Sequence, residues 1–208
     1  IQLPEGLKHQ GPRLASVAEK AGALAIVSAD PCYGACDLAL QEAKSVGADL
    51  IVHFGHSKLM PAPRSVPVSY IEAKSTLSVK TAVRKALPLL ESWKRIGLVT
   101  TVQHVDKLSE AREMLLRAGK SVTVGDSRRF KYAGQVIGCD YSNAYAVAKD
   151  VEAFLFVGGG RFHAIGVALA TSKPTVVADP YECRAFSVDA DVQKIKKQRW
   201  ASIQKAKE

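Results

Sequence analysis

Short apolar runs of the kind that form buried strands alternate with helical periods along the whole chain. Such alternation builds βαβ units, in which successive strands lie parallel and the helices between them cover the sheet. Strands are predicted at 25–29, 50–54, 66–71, 96–101, 121–124, 154–157 and 175–178. Between them apolar residues return at helical spacing, as in Leu108, Ala111, Leu115 and Ala118, with Gly119 placed to cap the helix end. The 208 residues, 47% of them hydrophobic, supply cores for one or two units and exclude a disordered or collagen-like chain. No apolar run approaches the roughly 18 residues of a membrane span, and no signal-peptide pattern opens the chain. The expectation is a soluble, cytoplasmic protein with no membrane partner. Its opening on Ile1 rather than Met, and its close on a charged helix from Lys194 to Glu208, fit a piece of a longer protein.

Internal repetition sharpens the architecture. At a shift of 103 positions Cys36 falls on Cys139, Asp37 on Asp140, Ala43 on Ala146, Asp49 on Glu152 and Gly55 on Gly158. In both copies a strand enters a loop that ends in Cys-Asp, a helix follows, and a second strand runs into glycine nineteen residues after the cysteine. The expected fold is therefore α/β with two repeated modules, each a small parallel β-sheet flanked by helices. The boundary is placed near Ser92, so that 1–92 carries Cys36 and 93–208 carries Cys139.

Each Cys-Asp lies at a strand-to-helix junction, the edge of a parallel sheet where α/β folds build ligand sites. Asp37 and Asp140 are expected as helix N-caps, and a thiol beside a helix N-terminus is favoured as thiolate. Four cysteines do not make a secreted disulfide scaffold. Cys36 and Cys139 are the candidate metal ligands, with buried packing as the alternative, and Cys32 and Cys183 are read as structural. His53, His56 and His163 are further candidates, His56 and His163 following the glycine turns on the same rim as the cysteines, but none has a recognisable zinc-ligand spacing. Phe156-Val-Gly-Gly-Gly-Arg-Phe-His163 joins a buried strand to a helix through Gly158, Gly159 and Gly160. Its free N–H groups and the forked donor of Arg161 suit a phosphate or carboxylate. Gly55-His56-Ser57 holds the matching place in the first half. The net charge of +9 favours an acidic partner, yet no aromatic-interleaved basic stripe accompanies it, so direct nucleic-acid binding is not expected.

Five ordered motifs carry a family resemblance: Asp30-Pro-Cys-Tyr-Gly-Ala-Cys-Asp37, Val52-His-Phe-Gly-His-Ser57, Gly134-Gln-Val-Ile-Gly-Cys-Asp140, the segment 156–163, and Val176-Val-Ala-Asp-Pro-Tyr181. Together with Gln2-Leu-Pro-Glu-Gly6 they resemble the archaeal diphthamide synthases, the 2-(3-amino-3-carboxypropyl)histidine synthase family, over essentially the whole chain. The resemblance implies a pseudo-threefold architecture of three similar α/β domains, each giving one cysteine to a 4Fe-4S cluster. Cys36 matches the first ligand and Cys139 the second. No third module appears in this chain, so by itself it is expected to hold no intact cluster and to be inactive. The implied reaction cleaves the Cγ–S bond of S-adenosyl-L-methionine. The 3-amino-3-carboxypropyl radical that results adds to a histidine imidazole C2 of translation elongation factor 2, and methylthioadenosine leaves. A homodimer is also implied. The residues acting directly in catalysis stay unknown, the chemistry being centred on the cluster. By position, His56, Ser57, Gln135, Gly158, Gly159, Gly160 and Arg161 are expected to line the S-adenosylmethionine site. The alternatives are a non-catalytic iron-sulfur binding subunit of such a complex, a quinolinate-synthase-type iron-sulfur dehydratase, and a plain nucleotide- or sugar-binding protein with inert thiols.

Overall fold

The computed structural model describes residues 1–59, 61 and 65–207, which fall into two units, Ile1–Lys74 and Ser75–Glu208. The division lies ahead of the Ser92 boundary expected from the sequence. The reason is α3 (Lys80–Ala86), whose Ala82, Val83 and Ala86 are buried in the core of the second unit together with Val79 and Leu90.

In the first unit, α1 (Gly11–Lys20) and α2 (Leu40–Ser45) accompany a parallel pair of strands, β1 (Ile51–Phe54) and β2 (Val68–Ile71). Ile51 is paired with Val68 and Phe54 with Ile71. Ala43 of α2 packs on Ile51 and Val66 to form a small core. The chain's opening runs beside β1: Gln2 N–H donates to Val52 C=O at 2.9 Å, and Phe54 N–H donates to Gln2 C=O at 3.0 Å. The strand expected at 25–29 is not a regular one. Its backbone instead brackets Ile1, with Ser28 N–H donating to Ile1 C=O at 2.9 Å.

The second unit holds a five-stranded sheet in the order β4-β3-β5-β6-β7. Its strands are β3 (Arg95–Thr100), β4 (Ser121–Thr123), β5 (Ala153–Val157), β6 (Thr175–Asp179) and β7 (Arg184–Ser187). The first four are parallel, and β7 closes the edge antiparallel to β6. Every residue of β5 and β6 is buried, as a sheet covered on both faces requires. Alternate residues feed two cores. Leu98, Leu155 and Val176 pack with α3 and α4 (Leu108–Arg117) on one face. Val99, Phe154, Phe156 and Val177 pack on the other, with α5 (Ser142–Val147), α6 (Phe162–Thr171) and α7 (Asp189–Lys205). Gly97 is paired in register with Phe154, and a Cβ there would stand 2.4 Å from the Phe154 ring. Parallel sheets flanked by helices bear out the expected fold class.

The crossovers through α4 and α6 cover opposite faces, so the strand order reverses between β3 and β5. A crevice at the carboxyl ends of those two strands is where open α/β sheets bind ligands.

Candidate functional site

In the first unit, the cysteine-bearing loop is tied to β1 by a single amide. Gln2 Nε2 donates to Asp37 C=O at 2.6 Å, and Gln2 Oε1 accepts from Ala39 N–H at 3.2 Å. Those two bonds fix which end of the Gln2 side chain is the acceptor. His53 Nδ1, 2.9 Å from the same Oε1, must therefore carry a proton. Burial, with His56 beside it, lowers the His53 pKa to about 4, so at neutral pH its Nε2 is a bare lone pair. That lone pair accepts from His56 Nδ1–H at 2.9 Å. Burial also lowers the His56 pKa, and the bond to His53 leaves Nε2 of His56 as its basic nitrogen. The turn that follows needs glycine: Gly55 has φ +84°, and a Cβ there would meet Pro4 Cγ at 2.8 Å. Ser57, next along, is buried.

The two cysteines of this loop differ. Cys36 is exposed. Cys32 is 3% exposed, and burial with the Asp37 carboxylate nearby raises its thiol pKa. Asp37 is not a helix cap. Its Oδ2 accepts from Tyr33 N–H at 3.0 Å inside the loop, and α2 begins only at Leu40. Tyr70 on β2 reaches back to Ala35 C=O at 3.4 Å, and burial, then the neighbouring Cys36, raise its phenol pKa.

In the second unit, Thr100 stands at the reversal point. Its hydroxyl donates to Val157 C=O at 2.5 Å, and its backbone forms a parallel bridge with Gln135. The Gln135 segment, Gly158 and the loop after β5 thus share one edge of the sheet. Asn143 of α5 secures this edge, donating from Nδ2 to the carbonyls of Tyr132 and Gln135, each at 3.0 Å. Cys139 lies exposed on the loop between Gln135 and α5. Asp140 supports that loop, its Oδ1 accepting from Ser142 N–H at 2.8 Å, a turn ahead of the helix rather than a true N-cap. Burial, then Cys139, raise the Tyr141 pKa.

The glycine turn is organised by a carboxylate for which the sequence pattern suggests no role. Asp179, 2% exposed, accepts from Gly160 N–H at 3.1 Å through Oδ2, and from the N–H groups of Tyr181 and Glu182 at 2.9 and 3.3 Å through Oδ1. One buried carboxylate therefore joins the turn after β5 to the turn after β6. A Cβ on Gly159 would come within 2.8 Å of the Tyr181 ring, so the close approach needs glycine. Arg161 donates from a single nitrogen, Nη1, to both carboxylate oxygens of Asp191 on α7 at 2.9 and 3.2 Å, and its guanidinium lies 5.1 Å from the centre of the Phe186 ring. Next to this turn His104 is buried edge-on to Tyr181, its pKa lowered by burial, and neither ring nitrogen has a hydrogen-bond partner among the described residues.

The structure thus gathers His56 and Ser57 near the Cys36 loop in one unit, and Gln135 and Gly158–Arg161 near the Cys139 loop in the other. His163 stacks on Phe156, with ring centroids 5.9 Å apart. Cys183, expected as structural packing, is exposed on the turn between β6 and β7 with φ +48°. Gln2 and Asp179 lie inside motifs that carry the family resemblance, but their roles are not legible there, because an amide or carboxylate that positions backbone leaves no spacing signature. Among the described residues no helix is long and apolar enough to cross a membrane.

Comparison with known proteins places the chain. The family model for diphthamide synthesis protein matches residues 3–208. The 2-(3-amino-3-carboxypropyl)histidine synthase of Pyrococcus horikoshii is 38% identical over 208 residues, covering 99% of this chain and 59% of that protein. The human 2-(3-amino-3-carboxypropyl)histidine synthase subunit 1 is 29% identical, over 100% of this chain and 47% of its own length. The crystal structure of Dph2 from Pyrococcus horikoshii with 4Fe-4S cluster superposes with a TM-score of 0.85 at 38% identity, covering 99% of this chain and 60% of that one. The chain spans about half to three fifths of the length of these relatives.

Proposed function

The chain belongs to the diphthamide synthesis protein family, and from that we propose that it is the part of a 2-(3-amino-3-carboxypropyl)histidine synthase that supplies two cluster cysteines and the S-adenosylmethionine site. The observation that carries this reading is a match along the whole chain to a relative of that name, together with a close structural likeness to a Dph2 that holds a 4Fe-4S cluster. The donor chemistry suits such a cluster. Cys36 and Cys139 are free thiols, exposed on loops at equivalent places in the repeat, and thiolate is the ligand that iron-sulfur clusters take. Cys32 is buried and already turned toward the Asp37 carbonyl, and Cys183 has no counterpart in the first module. A complete set needs a further ligand from the rest of the protein.

When bound, the cluster supplies the electron that breaks the Cγ–S bond of S-adenosylmethionine. The residues of this chain hold the reactants. In the glycine turn the Gly158 and Gly160 N–H groups are held by Ala178 C=O and Asp179, so the Gly159 N–H between them receives the carboxylate or ribose of the ligand, and Gln135 flanks it on the same edge. Arg161 joins this set by exchanging Asp191 for the ligand's carboxylate. His56, whose Nδ1 faces His53, turns Nε2 to the ligand, and Ser57 lies beside it. The acceptor of the 3-amino-3-carboxypropyl group is imidazole C2 of a histidine of translation elongation factor 2, in a cytoplasmic homodimer. The basic surface of the chain, with its net charge of +9, suits an acidic protein partner.

The test is anaerobic reconstitution of the full-length protein with iron and sulfide, followed by dithionite, S-adenosylmethionine and elongation factor 2. Methylthioadenosine release with a matching mass gain on the factor is the expected result. A cluster without turnover would point instead to a binding subunit, and no cluster at all would overturn both readings.

A further inference from the structure

One group of metal-binding side chains in the first unit is left over when Cys36 is assigned to the cluster. We propose that Cys32, His53 and His56 form a separate mononuclear site for a divalent ion of the zinc class. Their donor atoms, one thiol sulfur and two imidazole nitrogens, all lie within 4.8 Å of one another. One thiolate with two neutral imidazoles is a donor set that zinc takes readily, and three protein ligands leave a fourth position open to water or another ligand.

Three further observations support a bound ion. The first is enclosure: Cys32 and His53 are 3% and 0% exposed, so water competes poorly for the ligands. The second is orientation. Gln2 accepts the Nδ1–H of His53 at 2.9 Å and is itself locked by Ala39 N–H and Asp37 C=O, which leaves the His53 Nε2 lone pair directed toward His56. A carbonyl oxygen held against the distal N–H of a histidine is the usual support of a metal-bound imidazole. The third is charge, since the Asp37 carboxylate that disfavours a second anion at Cys32 favours a dication there. The thiol itself makes only a long contact, 3.9 Å, to Asp37 C=O.

The proton balance is simple. Both imidazoles are neutral before binding. The ion displaces the Cys32 thiol proton to solvent, and the His56 proton now shared with His53 moves from Nδ1 to Nε2. One proton is released per ion bound, and nothing is oxidised or reduced.

Cobalt(II) alone tests this, added anaerobically to full-length protein in which Cys36→Ser and Cys139→Ser remove the proposed cluster thiolates. The expected result is one cobalt per chain with a thiolate-to-cobalt charge-transfer absorption, displaced by zinc. That absorption is lost when Cys32→Ser is added. His56→Ala weakens binding at least tenfold, and Gln2→Leu weakens it about 10- to 100-fold through loss of the supporting oxygen. No thiolate band in the Cys36→Ser/Cys139→Ser protein overturns the site, as does a band that survives the further Cys32→Ser. Because both cluster cysteines of this chain are already replaced, the cobalt signal reports this site separately from the cluster.

Discussion

A glutamine at the second position decides the chemistry of a histidine fifty-one residues away. Its amide is oriented by two backbone partners, and that orientation sets the tautomer first of His53 and then of His56. The burial that keeps His53 neutral has a consequence for stability. Its folded pKa, about 4, lies below its ordinary value of 6.5, so between those values the unfolded chain binds a proton that the folded chain refuses. The histidine's contribution is therefore constant above about pH 6.5, is lost progressively as pH falls to about 4, and changes no further below. Denaturant melts across that window should show stability falling with pH, and His53→Gln should flatten the slope. At the glycine turn, Asp179→Ala leaves three N–H donors without their acceptor and should cost about 1–3 kcal/mol. Arg161→Ala should weaken S-adenosylmethionine binding several-fold in the full-length protein, and unchanged affinity by calorimetry would remove Arg161 from the site.

At the scale of elements, the strands with continuous apolar runs are legible in the amino-acid sequence itself. The runs at 96–101, 154–157 and 175–178 correspond to β3, β5 and β6 nearly unchanged, since a strand covered on both faces has no polar side to disguise it. The segment 25–29 has the same apolar look, but it meets only the chain start, and Leu24 and Ile26 remain exposed. Strand β7 leaves little trace in the sequence because only Ala185 and Phe186, one on each face of the sheet, are half-buried, too short a pattern to show a period. The N-caps expected at Asp37 and Asp140 fail for a shared reason: each carboxylate folds back on its own loop or turn before the helix begins. Packing inside the sheet yields a direct test at Gly97. The Phe154 ring occupies the space of its missing side chain, so Gly97→Ala should destabilise the protein by about 1–3 kcal/mol in thermal or denaturant unfolding. The paired change Gly97→Ala with Phe154→Leu should recover part of that loss, because it returns volume to the same site.

At the scale of the molecule, the repeat centred on Cys36 and Cys139 is the most informative feature of the sequence. In both copies a six-residue helix follows the cysteine loop and leads into a strand that ends at glycine. Local pattern does not fix where the units divide, because α3 falls within the first module as the sequence pattern divides the chain but is buried in the core of the second unit. The excess of basic residues gives the proposed partnership with elongation factor an electrostatic signature. Transfer to the factor should slow as salt rises, while cleavage of S-adenosylmethionine in the absence of the factor changes less, since screening acts on the docking of charged surfaces. If Cys36 and Cys139 serve one reaction, methylthioadenosine formation in reconstituted full-length protein depends on both. Cys36→Ala and Cys139→Ala should each abolish it while Cys183→Ala does not, and methylthioadenosine formed at the unsubstituted rate by either of the first two variants would show that the two thiols do not act together.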